Sequence, residues 1–143
     1  MAIKVRKADK ADAEGLWALI HELAVFERSG PEHVTTPAQL AHELEAGLDI
    51  GFVAVKEGEE ALRGIALFYP IYSTWKGLSY YLEDIIVPLA HRRQGIGSML
   101  FEKVLEFARD NAAGRLGWQE LAWNEPAIHF YKKSGAVMDG EDR

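Results

Sequence analysis

Three groups of residues in this 143-residue chain have types and spacings that could do chemistry together. The first is Arg92-Arg93-Gln94-Gly95-Ile96-Gly97-Ser98, which follows the apolar run Ile85-Ile86-Val87 and opens an amphipathic segment. A chain that turns from strand into helix here leaves the first backbone N–H groups of the helix unpaired, at the positive end of its dipole. Gly95 and Gly97 let another group approach that backbone, and Arg92 and Arg93 add full positive charges. The stretch therefore fits a pyrophosphate cradle. It is neither a Walker loop, which needs a lysine after the last glycine, nor a dinucleotide fingerprint, since Leu100 stands where a third glycine belongs.

The second group is Glu83-Asp84, two adjacent carboxylates at the end of Tyr80-Tyr81-Leu82 in an otherwise apolar strand. Such a pair is costly unless something pairs with it or uses it. Strand alternation sends the two to opposite faces unless a bulge intervenes. One reading puts one carboxylate at a sheet edge and the other in a salt bridge. The other makes Glu83 the acceptor of a proton from an amine, directly or through water, with Asp84 helping to hold a cation. The third group centres on Tyr131. Its periodicity suits a core aromatic whose hydroxyl reaches the surface. A phenol can also donate a proton to a departing thiolate, because the two groups have comparable pKa values.

The elements that must position these groups follow from periodicity and turn chemistry. Ile3–Lys7 alternates like a strand, and Asp9 then caps a helix to about Phe26 with Leu16, Leu19, Ile20 and Leu23 on one face. Glu27 falls one turn after Leu23, where a helix-end carboxylate in water is the simplest account. Thr36-Pro37-Ala38-Gln39 is a capping box with proline at the first helical position, opening a helix that ends near Gly47. Strands are expected over Ile50–Lys56, Leu62–Tyr72 and Leu78–Val87, joined by turns at 57–60 and 73–77. A helix from about Gly97 to Asn111 carries Ile96, Met99, Leu100, Val104, Phe107 and Ala108 as its apolar stripe. A fifth strand over Leu116–Ala122 and a last helix capped by Asn124 and stopped by Gly135 complete the order β-α-α-β-β-β-α-β-α. That order implies a mixed sheet with helices on its faces, in one domain.

Composition narrows the class. Apolar content of 48% with dispersed charge describes an ordinary globule, and no apolar run approaches the ~20 residues that span a bilayer. The N-terminus has no signal-peptide core, so the cytoplasm is the expected location. The absence of cysteine removes thiolate metal sites and any acyl-cysteine intermediate. The net charge of −6 disfavours nucleic acid and is compatible with cationic substrates. The five histidines show no metal-ligand spacing and are expected at surface or turn positions, so no metal is expected.

Taken together, these motifs mark a resemblance. Arg-x-x-Gly-x-Gly at 92–97 resembles the acetyl-CoA loop of the GNAT superfamily of N-acetyltransferases. Tyr81-Leu82-Glu83-Asp84, Trp123-Asn124-Glu125-Pro126, Phe130-Tyr131-Lys132-Lys133 and Gly135, with Glu22-Leu23-Ala24, Phe26-Glu27 and Trp75 upstream, resemble the diamine (spermidine/spermine) N-acetyltransferases. The resemblance implies a GNAT fold of mixed α/β type, with a mostly antiparallel central sheet flanked by helices. It implies direct transfer of acetyl from acetyl-CoA to a primary amine. Ile85, Ile86 and Val87 would bind acetyl-CoA through backbone groups, Arg93 to Ser98 would hold its pyrophosphate with Arg92 beside them, and Asn124, Glu125, Pro126 and Ala127 would line its site. Tyr131 would be the general acid and Glu83 the base, with Phe26, Glu27, Trp75 and Asp84 at the acceptor.

A small cationic amine, with a polyamine as first choice, is the implied acceptor, and no membrane or nucleic-acid partner is expected. Thialysine or another lysine-like amino acid is the alternative acceptor, and a non-catalytic acyl-CoA-binding module is the alternative class. The family continues past the equivalent of Gly140 with one more strand, so the last strand is expected to be missing, truncated or supplied by a partner. An open edge of that kind favours a homodimer.

Overall fold

The computed structural model of the protein describes residues 2–28, 30–75, 77–111, 113 and 116–118. β1 (Ile3–Lys7) leads into a 3-10 turn, Lys10–Asp12, in which the Asp9 side chain accepts from the Ala11 N–H and Asp12 accepts from the Asp9 N–H. Asp9 thus caps this turn, and α1 (Ala13–Phe26) grows out of it. α2 (Pro37–Ala46) starts on the expected reciprocal box. Thr36 Oγ1 accepts from the Gln39 N–H at 3.1 Å, and Gln39 Oε1 accepts from the Thr36 N–H at 2.9 Å. It stops at Gly47, whose φ of 80° is the left-handed conformation that favours glycine.

β2 (Ile50–Lys56), β3 (Leu62–Ser73) and β4 (Gly77–Ile86) form an antiparallel meander with β1, and β5 (Leu116–Trp118) joins β4 in parallel. The sheet order is β1-β2-β3-β4-β5, and α3 (Ile96–Asp110) makes the crossover that a parallel pair requires. The expected mixed, mostly antiparallel sheet is therefore present. Residues 119–143 lie outside the described residues, and with them the remainder of the fifth strand, the last helix and the question of a further strand.

Two cores hold the layers. On one face α3 buries Ile96, Leu100, Phe101, Val104 and Ala108 against Phe52, Ala54, Ala66, Phe68, Tyr80 and Leu82. Phe101 was not in the expected stripe but is fully buried, whereas Phe107 packs its ring edge-on to Phe52, Phe68 and Tyr80 from a half-buried position. On the other face Leu16 of α1 and Leu40 of α2 cover Val53, Ile65, Leu67 and Ile86.

One expectation needs correcting. His21 and His33 are not simple surface residues: both stack on Trp17, with ring centroids 4.9 and 4.8 Å from it, and their Nδ1 atoms are 2.9 Å apart. The reason is local. Trp17 and His21 are one helical turn apart on α1, and the Trp17 indole donates to the Thr35 carbonyl at 2.8 Å, drawing the α1–α2 connection over them.

Candidate active site

The expected alternation of Glu83 and Asp84 is cancelled by a bulge. Leu67 of β3 stands opposite Asp84, while its neighbour Phe68 stands opposite Leu82, which leaves Glu83 as the extra residue of β4. Phe68 and Leu82 belong to the core under α3, and Leu67 belongs to the core under α1 and α2. Directly opposed residues share a face, so Asp84 turns to the α1–α2 side, and the bulge brings Glu83 round with it.

Three further carboxylates meet them there. Glu27 is the C-cap of α1, Glu43 lies in the last turns of α2, and Asp49 immediately precedes β2. Burial raises the pKa of Asp84 to about 7, helped by the charges of Glu83, Glu27 and Asp49. Burial likewise raises Asp49 to about 7, with Glu83 and Glu43 adding repulsion and Glu43 a side-chain hydrogen bond. Glu83 is raised by burial and by Glu43, and Glu27 by burial. The Tyr69 phenol is raised by burial and then by the nearby charges of Glu83 and Asp49. Carboxylates destabilised by one another in this way favour a cation beside them.

The loop from β4 to α3 has the character of an anion site. Gly95 is the N-cap of α3, with φ of 79°, and no side chain caps the helix. The backbone N–H groups of Ile96, Gly97 and Ser98 are left facing outward by helix geometry. A Cβ added at Gly95 would meet nothing within 4 Å, so the space before the helix is open. Arg93 takes the left-handed conformation at φ of 67°, uncommon for a side chain of its size and a sign of a constrained turn. Arg93, Gln94 and Ser98 are exposed. Arg92 donates from Nε to the Val87 carbonyl at 2.9 Å, so it braces the strand end while its outer nitrogens stay at the surface. Fifteen residues of helix dipole, open N–H groups and two arginines suit the pyrophosphate of acetyl-CoA.

The structure therefore brings Glu27, Glu83 and Asp84 together, and places Ile85, Ile86 and Val87 between them and the loop. It does not bring Trp75 into the cluster. That residue is 93% exposed in the β3–β4 turn, six positions beyond Tyr69, and Phe26 is also exposed at 69%. Asn124, Glu125, Pro126, Ala127 and Tyr131 lie outside the described residues. Sequence reasoning missed Glu43, Asp49 and Tyr69. The one signal for Asp49 is a carboxylate between the glycine that stops α2 and the first strand residue, which alone does not say what it faces. Among the described residues, no group of His, Asp or Glu side chains could hold a metal ion, and no helix is long and apolar enough to cross a membrane.

Comparison with known proteins identifies the family. Residues 17–136 match the Acetyltransferase (GNAT) family. A thialysine N-epsilon-acetyltransferase of Caenorhabditis elegans is 40% identical over 83% of this chain and 73% of its own length. One from Bos taurus is 34% identical over 94% of this chain and 84% of its own length. The crystal structure of a probable acetyltransferase superposes with a TM-score of 0.81 at 22% identity, covering 96% of this chain and 92% of that one, a likeness of fold alone. The chain belongs to the GNAT family of acetyltransferases and is an N-acetyltransferase that uses acetyl-CoA as donor.

Proposed function

We propose that the acceptor is the primary amine of a small molecule carrying a second ammonium group. A lysine-like amino acid such as thialysine is the first candidate and a polyamine the second. The observation that carries this is the gathering of Glu27, Glu43, Asp49, Glu83 and Asp84 on one side of the bulged strand. The names of the two curated relatives support putting the lysine-like acceptor ahead of the polyamine expected from sequence. The polyamine reading keeps its support from the same carboxylates, which serve any second ammonium.

In this reading Glu83 takes a proton from the incoming ammonium, directly or through water, because only the neutral amine is a nucleophile. Burial and the charge of Glu43 raise its pKa, which makes it a stronger base than an exposed carboxylate. Asp84 and Glu27 hold positive charge beside it. Arg93 and the N–H groups at Gly97 and Ser98 grip the pyrophosphate of the donor, which supplies the acyl thioester when bound. Backbone groups of Ile85, Ile86 and Val87, with Asn124 to Ala127, line the rest of that site, and Tyr131 protonates the leaving thiolate. Holding both substrates at once supplies the proximity term.

A homodimer and a cytoplasmic location belong to the same proposal. Light scattering behind a sizing column tests the first, and cell fractionation the second. The test of function is acetyl-CoA-dependent thiol release with thialysine, lysine, spermidine, spermine and putrescine. Turnover on thialysine above the polyamines is expected. The reverse order would move the polyamine to first place, and no turnover on any would overturn the acceptor class.

A further inference from the structure

Three rings meet where α1 passes to α2: Trp17 and His21 of α1, and His33, which follows the 3-10 turn Gly30–Glu32. The His21 ring lies within 5° of parallel to the Trp17 indole, and the His33 ring stacks on the same indole. The two imidazole centroids are 5.1 Å apart, and Nδ1 approaches Nδ1 at 2.9 Å. The indole N–H donates to the Thr35 carbonyl, and Thr35 directly precedes Thr36, the cap of α2. The connection is thus tied down at His33 and at Thr35, on either side of the exposed Val34.

Two ring nitrogens at that separation are joined by one hydrogen. One imidazole donates from Nδ1, while the other carries its hydrogen on Nε2 and accepts at Nδ1. A first added proton goes to Nε2 of the donor ring and leaves the bond intact. A second puts a hydrogen on both Nδ1 atoms, so the bond has no acceptor and two cations face each other across a partly buried contact. Burial and then the charge of His21 hold His33 below the ordinary histidine value of 6.5.

The other charges of the packed elements can be named. Three and four positions from His21 on α1 stand Trp17, Ala18, Ala24 and Val25, none of them charged. Glu14 and Glu22 of α1 are exposed, and the charge of Glu27 acts on Asp84. On α2, Glu45 pairs with Lys10, the charge of Glu43 acts on Asp49 and Glu83, and His42 is exposed. Between the helices the charged residues are Arg28, which is exposed, and Glu32, next to His33 in sequence.

We propose that Trp17, His21 and His33 form a proton-operated latch, which fastens the α1–α2 connection at neutral pH and releases it in mild acid. Release takes protons from solvent and breaks the N–H···N bond, with no covalent change. His33 binds its proton more weakly in the closed form than in an open segment, so closure is favoured above pH 6.5 and loses that advantage as the pH falls below it. Glu27 is the first residue of the connection, so the latch governs how firmly the border of the carboxylate side is held.

Hydrogen exchange of peptides covering residues 27–36 tests the latch in the full chain, at pH 7 and pH 5 with intrinsic rates corrected for pH. Protection of this segment is expected to fall about tenfold or more at pH 5, with β2 and β3 unchanged. His33→Gln keeps a side-chain amide that can donate to His21 and cannot take up the second proton, so its protection should be the same at both pH values. Equal protection at both pH values in the native protein, or the same fall in His33→Gln, overturns the proposal. Where His33→Gln opens the segment at both pH values, nitrogen-15 spectra of the native imidazoles decide. One ring protonated at Nδ1 and the other at Nε2 at neutral pH, with the pairing lost below pH 6.5, supports the latch. Two rings both protonated only at Nε2 at neutral pH overturn it.

Discussion

At the scale of single residues, the site is a set of groups held in states they would not choose alone. Asp84 is the sharpest case. Its carboxyl, raised to about 7 from an ordinary 3.8, keeps its proton more tightly in the fold than in the unfolded chain. The stabilisation that goes with that proton is fully present below about pH 4, declines through the window between, and is lost above about pH 7. Asp84→Asn removes the penalty of the buried charge. The variant is expected to be more stable than the native protein by about 1–3 kcal/mol at pH 8, with the difference closing toward pH 4.5. Urea unfolding at the two pH values reads this, and an Asn variant less stable at pH 8 would show that the carboxylate has a structural partner. Glu83→Gln addresses the chemistry instead. Loss of a general base costs about 10²–10⁴-fold in kcat, with the KM for acetyl-CoA little changed. In the native enzyme the acidic limb of kcat/KM should lie above the usual carboxylate range, because Glu83 is raised. A limb at the ordinary position would take the role of base away from it.

At the scale of elements, α3 ties the loop proposed to hold the donor to the core. Gly64 of β3 lies directly beneath its first turns: an added Cβ would come to 2.8 Å from Ile96 Cγ2 and 3.1 Å from Leu100 Cδ1. Gly64→Ala should therefore push the N-terminus of the helix off the sheet, costing about 1–3 kcal/mol and weakening acetyl-CoA binding severalfold. Thermal unfolding and a donor titration measure the two effects, and loss of stability with unchanged donor affinity would separate the helix start from the loop. Much of this architecture was legible beforehand because its causes are local. Thr36, Pro37 and Gln39 specify a helix start within four residues, and the stripe through Ile96, Leu100 and Val104 specifies a face. The bulge at Glu83 was legible only as a condition, since it depends on how two strands pair rather than on either one. Asp49 could not be placed at all: a left-handed glycine and a strand register, not spacing, bring it beside Tyr69. The Trp17 stack escaped for the same reason, as His33 arrives from a separate segment.

At the scale of the whole molecule, charge is divided by function. The chain carries a net charge of −6, yet the loop proposed to hold the donor presents Arg92 and Arg93 beside a helix N-terminus. In the proposed arrangement a polyanionic donor would approach through a local positive field set in a negative whole, while a cationic amine would be drawn by both the global charge and the carboxylate cluster. Salt should act differently on the two substrates. The Debye length shrinks from about 10 Å at 0.1 M to about 3 Å at 1 M, which screens the long-range part of the attraction first. The acceptor gains from the long-range field and from five nearby carboxylates, so its KM should rise severalfold between 0.05 and about 0.5 M salt. The donor is attracted by the loop but repelled by the rest of the molecule, so screening removes opposing terms and its KM should move much less. Initial rates with each substrate varied in turn, at constant pH, give both slopes. Equal slopes would mean that the carboxylates on the α1–α2 side do not face the acceptor, and that the acceptor enters elsewhere on the sheet.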